Sequence, residues 1–319
     1  LILNVVKNPF NMIVLISLII LFCLIIIPLL TMIATTFTAG QAELRRIGDG
    51  AQVGDFTLYY WQYMLASNMS KAVLWEPLLN SLIIGVFVVI ISVPPGSVLA
   101  WLMVRTDIPG KKILSMLVII PYMIPSWTKA LSWLAVFRNS TSGANGFLAG
   151  LGLPIPDWLA YGPIAIILCM SMHYYAFSYI MVSGSLRSIN SELEEMGEIQ
   201  GASKPQILRY ITLPLILPSI LSAVIMTISK SIGTYGVAAN LGNRIGYYTL
   251  ATKMRVYIEQ GPQGVGYAMS LVLVGLAAII LFSNQKAVGV RKSYATVGGK
   301  GGRSTLMPLG TVSYTHLTL

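Results

Sequence analysis

The sequence predicts an all-helical membrane protein that crosses the lipid bilayer six times. Of its 319 residues, 55% are hydrophobic and only 10% are charged, whereas soluble domains carry about 25% charged residues. Six separate apolar runs are long enough to cross the hydrocarbon core as helices, which takes about 20 residues each. The short alternating segments of a membrane β-barrel are missing, so helices are the form that can satisfy the backbone in lipid.

The six predicted spans cover residues 10–37, 79–104, 113–137, 162–184, 211–232 and 265–282. The first run is too long for a signal peptide and has no small-residue cleavage site, so it is interpreted as a membrane anchor. A proline within a helix removes a backbone hydrogen bond. Kinks, serving either as architecture or as gating hinges, are therefore predicted at Pro94-Pro95, Pro121, Pro125, Pro214 and Pro218.

The basic residues indicate how the chain is oriented. Cytoplasmic loops of membrane proteins are rich in Lys and Arg, and this bias places the N-terminus in the cytoplasm. Six spans then place the C-terminus on the same side. The formal net charge of +10 is interpreted as this topology signal, so no nucleic-acid partner is expected.

Nothing in the sequence predicts a metal site or catalytic residues. Cys23 and Cys169 lie within apolar runs and are interpreted as membrane-buried residues, and His173 and His316 have no cysteine partner motif. The chain has no Gly-x4-Gly-Lys-Ser/Thr loop, so it is not expected to hydrolyse ATP.

The most specific motif lies between the fourth and fifth spans, on the predicted cytoplasmic side. It reads Glu195-Met196-Gly197-Glu198-Ile199-Gln200-Gly201, then nine residues, then Ile211-Thr212-Leu213-Pro214. One interpretation is a solvated surface helix, capped by Asn190 or Ser191, with acids at Glu192, Glu194, Glu195 and Glu198 favoured by the helix dipole. That interpretation leaves Gly201 and the fixed spacing unexplained. Gly201 suits a turn with positive φ or a close backbone approach, and Pro205 suits the first turn of a following helix.

This motif resembles the cytoplasmic "EAA" loop of ABC importer permeases. Glu195, Gly201, Ile211, Leu213 and Pro214 are in register, while Met196 and Gly197 occupy the two alanine positions. The resemblance implies a MetI-like permease core with one additional N-terminal span, in the bacterial inner membrane. It implies that a cytoplasmic coupling loop, at about residues 190–214, docks into the ATPase subunit. The implied partners are membrane lipid, a cytoplasmic ABC ATPase dimer carrying ATP and Mg²⁺, a second permease half, and a periplasmic or lipid-anchored solute-binding protein. No cofactor is expected on this chain itself.

The resemblance also implies a domain organisation. Residues 1–78 form an N-terminal anchor and outer loop, residues 79–284 the permease core, and residues 285–319 a cytoplasmic linker and tail. Residues 294–303 with Pro308-Leu309-Gly310 look like the linker of ferric-iron-type permeases, which fuse two six-span halves. The chain is thus expected to be an N-terminal half that carries ferric iron; polyamine, thiamine and phosphonate are the alternatives. Residues 312–319 are unlike the residues that precede them, and no structure is predicted for them.

Polar residues near the ends of spans three and five are candidates for lining a transport path. Lys129 and Lys230 either snorkel to the outer interface or form a cationic outer mouth. The other candidates, which equally suit close helix packing, are Ser229, Ser231, Thr234 and Tyr235. His173 is expected to be a hydrogen-bonded packing residue. The predicted spans contain no Asp or Glu, which disfavours an ion-coupled secondary transporter, and they lack the polar clusters of a membrane-embedded enzyme.

Overall fold

The computed structural model describes residues 9–48, 50–140, 143–189 and 192–289. In chain order its α-helices are α1 (Pro9–Thr35), α2 (Leu44–Ile47), α3 (Tyr59–Ala66), α4 (Glu76–Arg105), α5 (Lys111–Met123), α6 (Ser126–Phe137), α7 (Phe147–Gly150), α8 (Asp157–Ala160), α9 (Pro163–Ser188), α10 (Glu192–Ile199), α11 (Lys204–Ile207), α12 (Leu213–Ile232), α13 (Gly236–Gly242), α14 (Leu250–Gln260) and α15 (Gln263–Gly289). Wider π-helical turns precede α4 at Lys71–Trp75 and α12 at Leu208–Thr212. In these ranges, β structure is limited to one isolated bridge between Thr38 and Phe56.

The helices confirm the predicted all-α membrane fold. Five of them are long and apolar enough to cross a bilayer, namely α1 and α15, and α4, α9 and α12 together with the segments that lead into them. The pair α5 and α6 makes a sixth span if it is counted as one. The helix boundaries follow the six predicted apolar runs to within a few residues at most ends. However, the span that contains α4 extends outward to include Glu76, and the one that contains α9 includes Asp157.

The third predicted span is broken next to its predicted prolines and is not one continuous helix. Helices α5 and α6 meet at an angle of 94° across a short break at Ile124 and Pro125. Proline has no backbone N–H, so Pro125 cannot donate to the carbonyl of Pro121, its usual partner one turn earlier. The residue before a proline is also driven out of the helical conformation, and Ile124 is extended, with φ −78° and ψ 130°. Two prolines four residues apart therefore end one helix and start another.

The described residues divide into two compact units. The larger unit takes its residues from Pro77–Thr252 and Gly275–Leu319, the smaller from Leu1–Glu76 and Lys253–Val274. In the larger unit, α9 packs against α5, α6, α12 and α13. Half of its apolar window is buried, more than in any other span described. The core therefore surrounds α9, with residues such as Ile166, Met170 and Leu186 fully enclosed.

The smaller unit is organised around the buried side chain of Tyr60 on α3. The Tyr60 hydroxyl accepts a hydrogen bond from the Gly40 amide at 3.0 Å and donates one to Glu43 at 3.1 Å. Burial, and secondarily the neighbouring carboxylate, raises the pKa of Tyr60 above its ordinary value. The phenol therefore stays protonated and remains the donor. Helix α1 in this unit is exposed along its apolar length, as a lipid-facing anchor would be.

Several sequence predictions concern segments that lie outside the described residues. These are the helix cap at Asn190 or Ser191, the linker-like residues 294–303 with Pro308-Leu309-Gly310, and the tail 312–319. They stay predictions.

Candidate functional site

The motif between spans four and five folds into a helix, a tight turn and a second helix, as its residues predict. Helix α10 ends at Ile199, and two residues later Gly201 has a φ of +84°, in the left-handed region. The Gly201 amide donates to the carbonyl of Glu198 at 2.9 Å, and the Ala202 amide donates to that of Gly197 at 3.0 Å. These two bonds with a left-handed glycine define a Schellman C-cap. The predicted positive φ at Gly201 is confirmed.

The chain then restarts immediately as α11. Ser203 and Gln206 form a reciprocal capping box, and Pro205 stands in the first turn, as predicted. The π-helical turn Leu208–Thr212 carries the chain without interruption into α12. Both ends of the turn between α10 and α11 are thus fixed by local hydrogen bonds.

The inner face of α10 is anchored by a buried polar cluster that the sequence did not reveal. One Glu194 carboxylate oxygen accepts a 2.6 Å hydrogen bond from the hydroxyl of Thr212, and the other lies 3.4 Å from Nε of Arg105. Arg105 is 1% exposed and Glu194 5%. Arg105 Nη2 also donates to the carbonyl of Ile189 at 3.4 Å. We call Glu194, Arg105 and Thr212 the anchor cluster; it ties α10 to the last residue of α4 and to the turn before α12.

The anchor cluster corrects the interpretation of the four glutamates as a solvated face. Glu198 is exposed, but Glu194 is enclosed and paired. Gly197 lies one turn further along the same inner face. A Cβ atom there would come within 2.9 Å of Ile211 and 3.3 Å of Ile207. The glycine in this alanine position of the motif therefore allows α10 to lie directly against the following turn.

The outer face of α10 is apolar and open. Met196 is 56% exposed and Ile199 86% exposed. Glu195 is half-buried at the edge between the two faces. Of the remaining predicted motif residues, Ile211 is half-buried, whereas Leu213 and Pro214 are exposed on the first turn of α12.

A second polar cluster forms where α6, α9 and α12 meet, and it gathers several of the predicted path residues. Nζ of Lys129 contacts Nδ1 of His173. Nζ of Lys230 lies 5.5 Å from the ring centroid of Phe177. The hydroxyl of Thr234 bonds that of Tyr174 at 2.8 Å. We call Lys129, His173 and Lys230 the basic cluster.

The other predicted path residues are placed differently. Ser231 is buried and bonds the backbone carbonyl of Ile228, and it faces Gly85 on α4. This is the helix-packing role that the sequence left open. Ser229 is half-buried and Tyr235 is exposed. His173 was expected to be a packing residue, and the structure adds that its bonding partner is a lysine.

Comparison with known proteins identifies the family of this chain. Residues 92–288 match the family described as "Binding-protein-dependent transport system inner membrane component". The matched segment begins within α4 and ends within α15, one residue before that helix ends, so it includes both polar clusters.

Several curated relatives are similar over most of their own length. The sulfate transport system permease protein CysT of Salmonella typhimurium is 24% identical, over 69% of this chain and 82% of the relative. The molybdenum transport system permease protein ModB of Escherichia coli K12 is 25% identical, over 65% and 89%. The putative 2-aminoethylphosphonate transport system permease protein PhnV of Salmonella typhimurium is 26% identical, over 77% and 85%.

Solved structures share the fold. A crystal structure of a bacterial alginate ABC transporter, in complex with alginate pentasaccharide-bound periplasmic protein, contains a chain that matches with a TM-score of 0.65 at 18% identity. The match covers 93% of this chain and 98% of that one. A chain of the MetNI methionine ABC transporter in an inward-facing conformation matches with a TM-score of 0.54 at 24% identity, over 70% and 98%.

Proposed function

Because the chain belongs to the inner-membrane components of binding-protein-dependent transport systems, we propose that it is the permease subunit that couples a cytoplasmic ATPase to solute import. The observation that carries the proposal is the two-sided build of α10. Its inner face is locked to two spanning helices through the anchor cluster, and its outer face presents Met196 and Ile199. A short helix with these properties can transmit a displacement from a partner to the spanning helices.

The rigidity of this segment supports mechanical transmission. Every link between α10 and the spans is short: the Schellman turn at Gly201, the capping box at Ser203, and the ion pair between Arg105 and Glu194. Displacement of α10 would therefore move the ends of α4 and α12 as bodies instead of bending a loop. Rigid-body rotation of packed helices is a common mode of conformational switching, and alternating access requires it.

The orientation follows from the same assignment. An ATPase that carries ATP and Mg²⁺ is cytoplasmic, so α10 faces the cytoplasm and both chain ends lie on that side, as the Lys and Arg distribution predicts. Helix α9 has 26 residues, so α10 and the loop before α9 are separated by about 39 Å. We therefore expect residues 143–162 at the outer face, where a periplasmic or lipid-anchored solute-binding protein would dock. The alginate transporter captured with its periplasmic protein supports such a partner.

The import path requires a second permease half, either fused downstream or separate. Transport systems named for sulfate, molybdenum and 2-aminoethylphosphonate contain relatives of this chain, which supports a small charged solute. Phosphonate, one of the alternatives from the sequence, is favoured by this observation. Ferric iron stays a prediction of the linker-like sequence.

The test is to co-purify the chain with its ATPase and compare Ile199→Asp and Met196→Asp with wild type. Each change places a carboxylate on the exposed face of α10. We expect at least a tenfold loss of ATPase association and of stimulated ATP hydrolysis, because burying an unpaired charge in an interface costs several kcal/mol.

The matched control is Leu151→Asp, since Leu151 is 64% exposed at the other end of α9. It should leave ATPase association at the wild-type level. The proposal fails if both α10 variants bind and stimulate the ATPase as wild type does, or if Leu151→Asp weakens association equally.

A further inference from the structure

The basic cluster brings two lysines and a histidine together from three different helices. Lys129 lies in the first turn of α6, His173 within α9, and Lys230 in the last turn of α12. The contact between Lys129 and His173 joins residues that are 44 positions apart in the sequence. His173 follows Pro163, the start of α9, by ten residues, so it lies about 15 Å along that helix. This depth is about half of a ~30 Å hydrocarbon core.

The broken third span is what places Lys129 there. Pro125 cannot bond the carbonyl of Pro121, so the backbone hydrogen bond that would continue α5 into α6 is missing. The 94° bend then turns the first residues of α6 toward α9, and Nζ of Lys129 reaches Nδ1 of His173. An ammonium can only donate, so Nδ1 accepts. His173 thus positions Lys129 by holding it through one nitrogen.

Aromatic rings complete the wall around these groups. The ring of Tyr122 stacks on His173 at 5.0 Å between centroids and on Phe177 at 5.7 Å. The ammonium of Lys230 is directed toward Phe177 on the same side of α9. A lysine that snorkels extends along its helix to the membrane boundary, but both ammonium groups here are turned toward α9. The alternative of two snorkelling lysines therefore explains the geometry poorly.

The cluster carries positive charge without a carboxylate to balance it. The ion pairs of Arg105 with Glu194 and of Arg255 with Glu259 include neither Lys129 nor Lys230. Charge within a membrane is costly and almost always has a partner or a function. Lys230 is exposed on the surface of this chain, so its ammonium is open to whatever passes or docks there.

We propose that Lys129 and Lys230, positioned by His173 and Phe177, form a transit site for a small anion such as a sulfate-, molybdate- or phosphonate-type oxyanion. The proposal rests on the proposed function and adds the sign of the solute's charge. A ferric ion would meet this site as an anionic chelate and not as a bare cation. Polyamines and thiamine, which are cationic, would be repelled.

The first experiment uses the unmodified importer, assembled with its ATPase and binding protein in proteoliposomes. ATP-dependent uptake is measured with labelled sulfate, molybdate, 2-aminoethylphosphonate, ferric citrate, putrescine and thiamine. The proposal expects uptake of an anion from this panel, and the ferric citrate arm separates an anionic chelate from a free oxyanion. Uptake restricted to putrescine or thiamine overturns the proposal without any mutagenesis.

The second experiment compares Lys129→Gln and Lys230→Gln with the arginine variants at the same positions. Loss of one charged hydrogen-bond donor is expected to lower anion uptake at low concentration by about 10-fold or more, and arginine should retain most of it. Lys71→Gln is the control, because Lys71 is an exposed lysine outside the cluster. Wild-type uptake by both glutamine variants overturns the proposal.

The two proposals fail in different ways. Co-purification with the ATPase is recorded for every variant. If wild type does not bind an ATPase, the proposed function fails. If wild type binds it and imports only cations, the proposed function stands and the anion site is wrong. If a glutamine variant does not assemble, the wild-type solute panel still decides the sign of the charge.

Discussion

The anchor cluster and the basic cluster lie in the same helical unit but treat charge in opposite ways. At the anchor cluster, Arg105 and Glu194 are opposite in charge and nearly inaccessible, and Thr212 completes the bonding of the carboxylate. At the basic cluster, Lys129 and Lys230 have the same charge, and Lys230 remains exposed. One cluster is internally neutralised, while the other is not.

The difference indicates that the two clusters have different functions. A buried pair is costly to assemble and very costly to break, so it fixes a geometry instead of adding much stability. That suits a helix which must transmit a displacement. Charges of one sign have nothing to neutralise them internally, so they suit a transient ligand of opposite charge. Substitutions in and around the two clusters can test this comparison.

The largest expected effect comes from breaking the anchor cluster. Glu194→Ala leaves Arg105 buried without its counter-charge, and removal of one partner of a buried pair costs about 3–5 kcal/mol. Thermal unfolding of the purified chain in detergent should show a marked fall in Tm. The control is Glu198→Ala, an exposed glutamate on the same helix, whose effect should remain within about 0.5 kcal/mol.

A double variant at the same site tests whether the ion pair does more than balance its own charges. Arg105→Met with Glu194→Leu removes both charges together, and apolar replacements of a buried pair are often neutral or stabilising. We expect the Tm to return close to the wild-type value. If the double variant is as unstable as Glu194→Ala, the pair does more than balance its own charges, and the comparison with the basic cluster weakens.

The next effect concerns the helix contact that lies between the two clusters. Gly96 on α4 touches α9 so closely that a Cβ would come within 2.3 Å of the Tyr175 carbonyl and 2.9 Å of Ser178. Gly96→Ala should therefore destabilise the chain by about 1–3 kcal/mol through overpacking, and it should reduce both ATPase stimulation and solute uptake.

Gly184 on α9 is the matched control for this contact. A Cβ there would meet nothing within 4 Å, so Gly184→Ala should be neutral or stabilising by about 0.5–1 kcal/mol. Both variants are compared by Tm in the same detergent. Equal Tm values for the two alanine variants would contradict close α4–α9 packing as the link between the clusters.

A smaller effect is expected at Gly201, where a substitution affects only the backbone conformation. Its surroundings are open, so a side chain would not clash, but φ is +84°. Gly201→Val should cost about 1–2 kcal/mol of stability and lower ATPase stimulation. Gly201→Asn should be much closer to wild type, because asparagine tolerates the left-handed region. Loss of stimulation by both variants alike would point to the space at Gly201 and not to its φ.

The sequence predicted the features that depend on neighbours along the chain. The spans, the positive φ of Gly201 and the position of Pro205 all follow from local patterns. The break after Met123 was foreseeable from Pro121 and Pro125, but the 94° angle was not, because α5 and α6 both pack against α9, which is distant in the sequence.

The polar clusters depend on partners that are distant in the sequence. Arg105 ends one span and Glu194 follows another, and no periodicity relates them. In the sequence, Lys129 and His173 are isolated polar residues in separate apolar runs, and only the tertiary structure shows that they touch. A charged residue inside an apolar run was the available signal for the basic cluster. For Glu194, the signal was its position one turn before Gly197, on the face that must approach the following turn closely.

The smallest effect lies outside both clusters, at the N-cap of α11. Ser203→Ala removes a cap and should destabilise the chain by about 1 kcal/mol, whereas Ser203→Gly should cost only a few tenths, since glycine is tolerated at an N-cap. Neither change alters a charge, so ATPase stimulation should decline modestly with the Tm, and the preference for anionic solutes should be unchanged. A shift in solute preference in either variant would mean that the α10–α11 turn communicates with the basic cluster, and the two clusters would then be one site.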